Sequence, residues 1–297
     1  MGPLSKGKTG DIISGIRQKE PCMLVDEKKC VGCANCVPVC PMGAIHIGPD
    51  KLAEINQEEC VECHTCYRGL SAEHLPSGPV RFLRKVLAFF RLRFQPEPDI
   101  CPTEALVPDE LAWPRTVRRA FSDPVVPHES TGIHGRGTAE VKTNDVTNRV
   151  MEGEVGFVVE FGRPGVGAYF RDVDKATRTL AATGVAFEPQ NPVTSLMSDT
   201  EEGRIREDVL NEKVLSCIVE FKTGFRKVAE VLRTIETISP TLDTVVSVGV
   251  SVRCDAQGNE PLKELLVREG YDAWRAKVNL GMGRVTNPQS ATGEEKA

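Results

Sequence analysis

The chain lacks several features that would assign it to a familiar class of protein. Aromatic residues make up 5% of its 297 residues, and 37 basic against 42 acidic residues leave a net charge of −5. This balance gives no global reason to bind nucleic acid, so none is expected among the partners. No run approaches the roughly 18 apolar residues of a spanning helix, and the opening MGPLSKGKTG lacks an apolar secretory stretch. We therefore expect a cytoplasmic protein.

Signatures of common catalytic cofactors are also missing. Residues 162–167 read GRPGVG between a predicted strand and helix, but they match neither G-x-G-x-x-G nor the Walker spacing. A turn is favoured there over a nucleotide site. No flavin, nicotinamide or molybdenum signature is recognised and no catalytic residue is assigned. The sequence leaves open whether the chain is an enzyme and favours a non-catalytic subunit.

Cysteine is the abundant feature. Seven of eleven cysteines lie between positions 30 and 66, and the first group reads C-x2-C-x2-C-x3-C-P. The second group is C-x2-C-x2-C, and its Cys-Pro pair comes only after 34 further residues. Both Cys-Pro pairs are followed at matching offsets by alanine and an aliphatic residue, which indicates an internal repeat. This spacing is typical of iron–sulfur ligation. The cysteines are Cys30, Cys33, Cys36 and Cys40, then Cys60, Cys63, Cys66 and Cys101.

With these motifs, residues 30–105 resemble a bacterial-type two-cluster ferredoxin module that is interrupted between its seventh and eighth cysteines. The resemblance implies two [4Fe-4S] clusters with crossed ligation. Cluster 1 would be held by Cys30, Cys33, Cys36 and Cys101. Cluster 2 would be held by Cys40, Cys60, Cys63 and Cys66. The long interruption makes Cys101 the ligand in doubt.

Other interpretations of the cysteines stay open. Zinc can take all-cysteine sites, although two triplets each completed by Cys-Pro differ from the usual pair-plus-pair spacing. Cys60, Cys63 and His64 formally match a c-type haem attachment motif, and disulfides are a further possibility. The three remaining cysteines, Cys22, Cys217 and Cys254, lie singly in apolar or strand-like contexts and are interpreted as small core residues.

The insertion 67–100 carries a basic amphipathic segment, PVRFLRKVLAFFRLRF, at 79–94. On a helical wheel, one apolar face lies largely opposite the basic residues Arg81, Arg84, Lys85 and Arg91. Three interpretations remain: the helix covers the protein's own core, docks a redox partner, or contacts a membrane surface. The four basic residues are the candidate partner-docking residues.

The second half has the pattern of a β-α-β unit that occurs twice. VGFVVEF (155–161) precedes a helical pattern at 171–183, and LSCIVEF (215–221) precedes another at 224–238. One such pair makes a split β-α-β sheet covered by two helices. The predicted fold class is therefore α+β: a dicluster ferredoxin module joined to a ferredoxin-like sandwich with a duplicated βαβ unit.

Five segments are predicted. They are an N-terminal lead-in (1–29), the iron–sulfur module (30–105) with its basic helical insertion (67–100), an extended polar segment (106–150), the βαβ-βαβ domain (151–285) and a disordered tail (286–297).

Together these features favour an electron-transfer protein that passes single electrons through two [4Fe-4S] clusters to a larger oxidoreductase partner. The alternative is a redox- or ligand-sensing accessory protein whose C-terminal domain binds a small molecule.

Overall fold

A computed structural model describes residues 22–68, 75–92, 101–136, 149–255 and 257–271. Parts of several predicted segments lie outside these residues. They are most of the lead-in, both flanks of the basic helix, residues 137–148 of the polar segment, and the chain after residue 271, including the predicted tail.

The cysteine-rich module is built from two short antiparallel ribbons and two helices. In one ribbon β1 pairs with a strand about eighty residues later, and in the other β2 pairs with the next strand along the chain. Their bounds are β1 Leu24–Val25, β2 Ile45–Ile47, β3 Ala53–Ile55 and β4 Leu106–Val107, with helices α1 Thr65–Arg68 and α2 Ser77–Phe89. Aliphatic side chains from the ribbons pack with the cysteines in a small core of their own.

The C-terminal part is a four-stranded antiparallel sheet with two main helices. The long strands are β5 Glu154–Phe161, β11 Cys217–Gly224 and β12 Val246–Val252, with β7 Ala186–Phe187 at one edge. Their order is β12-β5-β11-β7, and each neighbouring pair is antiparallel. Two ribbons lie outside the sheet: β6 Ala168–Tyr169 with β10 Lys213–Val214, and β8 Met197–Asp199 with β9 Arg204–Ile205.

The larger core lies between this sheet and its helices. Alternate residues of β5, from Val155 to Phe161, are fully buried, as period-two alternation requires. Phe157 stacks on Phe221 of β11 with ring centroids 5.0 Å apart. The helices are α4 Phe170–Ala181, α5 Val228–Ile238 and α6 Leu262–Arg268, and each turns an aliphatic face to this core. The molecule is thus of mixed helix and sheet class, as predicted.

The polar segment after residue 106 departs from the predicted extended conformation. Thr116–Ser122 form a helix, α3, whose buried residues include Val117, Arg118 and Phe121. The spacing of Val117 and Phe121 is helical, but the segment is rich in Pro, Arg, Thr, Gly and His and has little periodicity, which favoured an extended, irregular conformation. Because arginine is seldom buried without a partner, sequence alone did not reveal an element that buries two of them.

The basic helix does not bury its apolar face, as a helix that covers the protein's own core would. Val80, at its N-terminal end, is buried, and Arg81 and Arg84 are partly covered on the side that faces the module. Phe82, Phe89 and Phe90 are 71%, 83% and 64% exposed. Within the described residues, the apolar face therefore points outward and the arginine face inward.

Candidate metal centres

The eight cysteines of the two motifs line two separate cavities. The first cavity is lined by Cys30, Cys33, Cys36 and Cys101. The second cavity is lined by Cys40, Cys60, Cys63 and Cys66 together with aliphatic residues, Glu62 and His64. The fold thus brings Cys101 to the first triplet across the long insertion, and each cavity collects one of the two cysteine sets predicted from the resemblance.

The backbone repeats between the two cavities. Two residues within each triplet have positive φ: Gly32 and Ala34 in the first, Glu62 and His64 in the second. A third pair follows the Cys-Pro turns, Gly43 and Glu104, with φ of 63° and 51°. Left-handed non-glycine residues are uncommon, so three matched pairs indicate the same loop built twice. A β-carbon at Gly32 would lie 2.0 Å from the carbonyl oxygen of Lys51, which makes glycine necessary there.

The entry to each triplet is also duplicated. Asp26 accepts a hydrogen bond from the N–H of Lys28, and Asn56 accepts one from the N–H of Glu58, at 2.9 and 3.0 Å. In both loops the carbonyl of this Asx residue then accepts the N–H of the first cysteine. Asx turns of this kind fix the direction in which the chain leaves a strand.

Backbone amides point at the sulfur atoms. The N–H of Ala44 donates to Cys40 Sγ at 3.3 Å, and that of Ala105 donates to Cys101 Sγ at 3.2 Å. The N–H of Ala53 donates to Cys30 Sγ at 3.4 Å. Such bonds stabilise negative charge on sulfur, which is how a protein raises the potential of a thiolate-bound centre.

The donor set fits an iron–sulfur group. Four thiols surround each space, and iron in such clusters is held by cysteine thiolates. Among the described residues, no three His, Cys, Asp or Glu side chains lie close enough to hold one metal ion together. A [4Fe-4S] cube binds one thiolate at each iron, so its four ligands surround a volume instead of converging on a point.

Burial keeps the thiols protonated while no iron is bound. Burial, with a smaller contribution from neighbouring cysteines or Glu62, raises the pKa of Cys36, Cys60 and Cys66 to about 12. The unfolded chain ionises these thiols at about pH 8.5.

This difference predicts how the iron-free protein responds to pH. Its urea midpoint should fall between pH 8 and pH 10, because the unfolded state loses protons that the folded state retains. The iron-loaded protein is the control, because its sulfurs are already bound as thiolates and its midpoint should change less. A midpoint of the stripped protein that is constant over this range would contradict the prediction.

A buried charged network next to the second cavity was not evident from sequence. Glu62 accepts hydrogen bonds from Arg115 and from the N–H of Met23. Asp123 pairs with Arg68 and lies 3.6 Å from His64 Nδ1. Burial, together with Arg119, lowers the pKa of His64, so the imidazole is neutral near pH 7. The network attaches the left-handed residues of the second triplet to α3.

Helix α3 also joins the second cavity to the C-terminal sheet domain. Arg118 donates to the carbonyls of Gln57, Glu58 and Cys60 at 2.9 to 3.2 Å and pairs with Glu212. We call this set of contacts the Arg118 clamp. Lys213 pairs with Glu59 beside it.

The glycine-rich turn 162–167 closes the same side. A β-carbon on Gly167 would lie 2.6 Å from Met42 Cε, and Met42 lines the second cavity. The turn therefore packs closely against the module. Residues 163–166 do form a turn, which the sequence favoured over a nucleotide site.

Helix α2 lies beside the first cavity instead. Arg81 donates to the carbonyls of Glu27 and Cys30 at 2.6 and 2.8 Å. Arg84 Nη1 is buried and would lie 3.5 Å from a β-carbon on Gly32. Lys85 and Arg91 are exposed. Arg81 thus holds the loop of the first triplet, Arg84 lies beside that loop, and Lys85 and Arg91 are exposed.

The solitary cysteines have different environments. Cys22 and Cys217 are buried, the latter completely, in keeping with small core residues. Cys254 is exposed and lies just after β12, so its interpretation as a core residue is wrong.

Known proteins match the cysteine-rich module. Residues 23–46 match a 4Fe-4S binding domain model. A ferredoxin from Alicyclobacillus acidocaldarius is 35% identical over 72 residues, which are 22% of this chain and 91% of the relative. Ferredoxin YfhL of Escherichia coli is 48% identical over 40 residues, 14% of this chain and 45% of the relative. No solved structure gives a significant match.

A component of a larger assembly is also similar. One subunit of the ion-translocating oxidoreductase complex of Methanosarcina acetivorans is 48% identical over 42 residues, 14% of this chain. The chain spans only 16% of that relative's length and 45% of that of the Escherichia coli ferredoxin. These similarities support a 4Fe-4S cluster in the cysteine-rich module. In the described part of the chain, no helix has both the length and the apolarity needed to cross a bilayer.

Proposed function

Because the chain belongs to the ferredoxin family through its cysteine-rich module, we propose that it carries single electrons through two [4Fe-4S] clusters to a larger oxidoreductase partner. The observation that carries this proposal is the pair of cavities, each lined by four cysteines. The proposed ligands are Cys30, Cys33, Cys36 and Cys101 for cluster 1 and Cys40, Cys60, Cys63 and Cys66 for cluster 2. A bound cluster supplies reversible one-electron chemistry with little ligand movement.

The chain's own residues prepare both cavities for this chemistry. Aliphatic side chains restrict water around the sulfurs, and the amides of Ala44, Ala53 and Ala105 donate to three of them. The positive-φ residues bend each triplet so that its three thiols face one cavity. Since these features are formed by the fold, binding and reduction need little rearrangement, which suits a carrier.

The two cavities face different neighbours, which suggests where electrons enter or leave. The second is closed by α3 and the glycine-rich turn, whereas the first lies under α2. Similarity to a subunit of an oxidoreductase complex supports a protein partner. We place it at the edge of the module beside α2, where Arg81 supports the cluster 1 loop.

We assign the sheet region, predicted at 151–285, to the split β-α-β class. The strand order β12-β5-β11-β7 supports this, since each helix connection passes over one intervening strand. The VVEF and IVEF segments lie on the neighbouring central strands β5 and β11, which supports a duplication. In the proposed carrier this domain is an adaptor that covers cluster 2. A role as a ligand sensor remains the alternative.

The test is metal analysis followed by spectroscopy on one anaerobic sample of the full chain. About eight irons and eight sulfides per chain, with two interacting one-electron centres during reductive titration, are expected for two four-iron cubes. Zinc, or iron that is never reduced, would overturn the carrier proposal and move the function to the sheet domain.

The buried charge of Arg84 should set the potential of cluster 1. The reduced cluster carries one more negative charge, so a guanidinium near Cys33 favours reduction. Arg84→Met should lower one potential by on the order of 60 mV, a tenfold change for one electron, and leave the other unchanged. Lys85→Met is the matched control, because that side chain is exposed on the same helix. Equal potentials in the two variants would refute the role of Arg84.

A further inference from the structure

Helix α2 presents an exposed apolar face on the outside of the module. Phe82, Leu83, Val86, Phe89 and Phe90 are all exposed, the three phenylalanines at 64% or more. At 3.6 residues per turn they fall within about 120° of the helix circumference. Leu83 and Val86, at 46% and 36% exposed, are partly covered. Contiguous apolar surface of this kind marks an interaction site.

The opposite face of the helix is fixed to the protein. Arg81 is bonded to two carbonyls of the first-triplet loop, and Val80 is buried. At the N-terminal end, the N–H of Leu75 donates to the carbonyl of Pro102, next to Cys101. The helix therefore cannot roll its phenylalanines inward without breaking contacts that hold the first cavity.

The charge around the apolar face is of one sign. Lys85 flanks the face, Arg91 follows the helix end, and both are exposed. No acidic residue occurs from position 75 to 92, although the whole chain has a net charge of −5. The occupant must then combine an apolar interior with a negative surface.

We propose that α2 is an in-plane membrane anchor that inserts its phenylalanine face among the lipids of an anionic bilayer. The exposed face is convex, with rings that project from it, so a protein partner would need a matching groove while a bilayer needs none. Phenylalanine and leucine on one face with lysine and arginine at its margin is the composition of interfacial helices. The helix is about 20 Å long and would lie flat at the headgroup boundary.

The anchor would place the first cavity close to the membrane. Arg81 joins the inner side of α2 to the first-triplet loop, and Arg84 lies beside Gly32 of that loop, so cluster 1 would lie about one helix diameter, ~10 Å, from the bilayer surface. A redox partner at this edge would itself be bound to the membrane. The anchor does not depend on the clusters being redox-active, and its test is separate from theirs.

The test is flotation of the full-length, iron-loaded protein with vesicles of phosphatidylglycerol and phosphatidylcholine. We expect binding at low salt, weaker binding at high salt, and little binding to pure phosphatidylcholine. The Phe82→Ser/Phe89→Ser variant should bind about tenfold or more weakly, because it removes two inserted rings. The matched control is Val125→Ser/Val267→Ser, which changes two exposed apolar residues elsewhere and should bind like wild type.

A spectroscopic variant reports insertion directly. Phe89→Trp should show a blue-shifted emission on addition of anionic vesicles, whereas a Val125→Trp variant should not. Iron content and circular dichroism must match wild type in every variant used. Failure of wild type to float with anionic vesicles would overturn the anchor, as would undiminished binding of the double serine variant. A lipid-free dimer that this variant dissociates would assign the face to a second copy and also overturn it.

Discussion

Substituting Cys101 by alanine is expected to halve the iron content of the protein, from about eight to about four atoms per chain. Cys101 lies 35 positions after the nearest other motif cysteine, yet it lines the first cavity with Cys30, Cys33 and Cys36. With one of four thiolates missing, the cube in that cavity loses an iron ligand, and incomplete clusters are readily lost. The second cavity keeps all four of its cysteines.

The matched control for Cys101 is Cys254→Ala. Cys254 is exposed and belongs to neither cavity, so its removal should leave iron and sulfide unchanged. The test is to measure iron and acid-labile sulfide in anaerobic samples of the Cys101→Ala and Cys254→Ala proteins purified side by side. Equal iron in the two variants would refute the assignment of Cys101 and with it the crossed ligand sets.

Removing the Arg118 clamp is expected to cause the largest loss of stability. In Arg118→Met, Glu212 loses its buried partner. The carbonyls of Gln57, Glu58 and Cys60 also lose a hydrogen-bond donor. Breaking a buried ion pair from one side costs about 3–5 kcal/mol. In a chain of this size, a loss of that order lowers Tm by roughly 10 °C. Thermal unfolding of the iron-loaded protein, followed by circular dichroism, measures the change.

An exposed ion pair supplies the control for this prediction. Arg233 is 65% exposed and lies 3.4 Å from Glu269, so Arg233→Met should change stability by less than about 1 kcal/mol. The double variant Arg118→Met/Glu212→Gln should recover part of the loss, because no carboxylate is then left buried without a partner. Similar Tm values for Arg118→Met and Arg233→Met would show that the clamp contributes little.

The sequence predicted some parts of this structure well for identifiable reasons. The spacing of the two cysteine triplets identified seven of the cavity cysteines, and the Cys-Pro-x-x-Ala-aliphatic pattern shared by residues 40–45 and 101–106 identified Cys101. Hydrophobic periodicity located the helix at Phe170–Ala181 within two residues of the predicted 171–183. Both signals are local, and both describe residues whose role is decided by their immediate neighbours.

Other parts depend on contacts between distant segments, which a single sequence does not show. Arg115 and Arg118 look like surface residues, but they are buried because carbonyls and carboxylates of the second triplet surround them. The helical wheel of α2 separates an apolar face from a basic face, but it does not show which of them points inward. The basic face points inward because Arg81 donates a hydrogen bond to a carbonyl of the first-triplet loop.

The positions of the cysteines along the chain mean that the two ligand sets are completed at different stages of synthesis. The cysteines of the second cavity span residues 40 to 66, whereas those of the first span residues 30 to 101. On a chain made from its N-terminus, the second set is complete 35 residues before Cys101 is added. Closing the longer loop also costs more entropy, and the first cavity requires the β1–β4 ribbon that ends at Val107. All four cysteines of the second set are therefore present on a nascent chain that still lacks Cys101, although α3 and the turn 162–167, which close the second cavity, come later still.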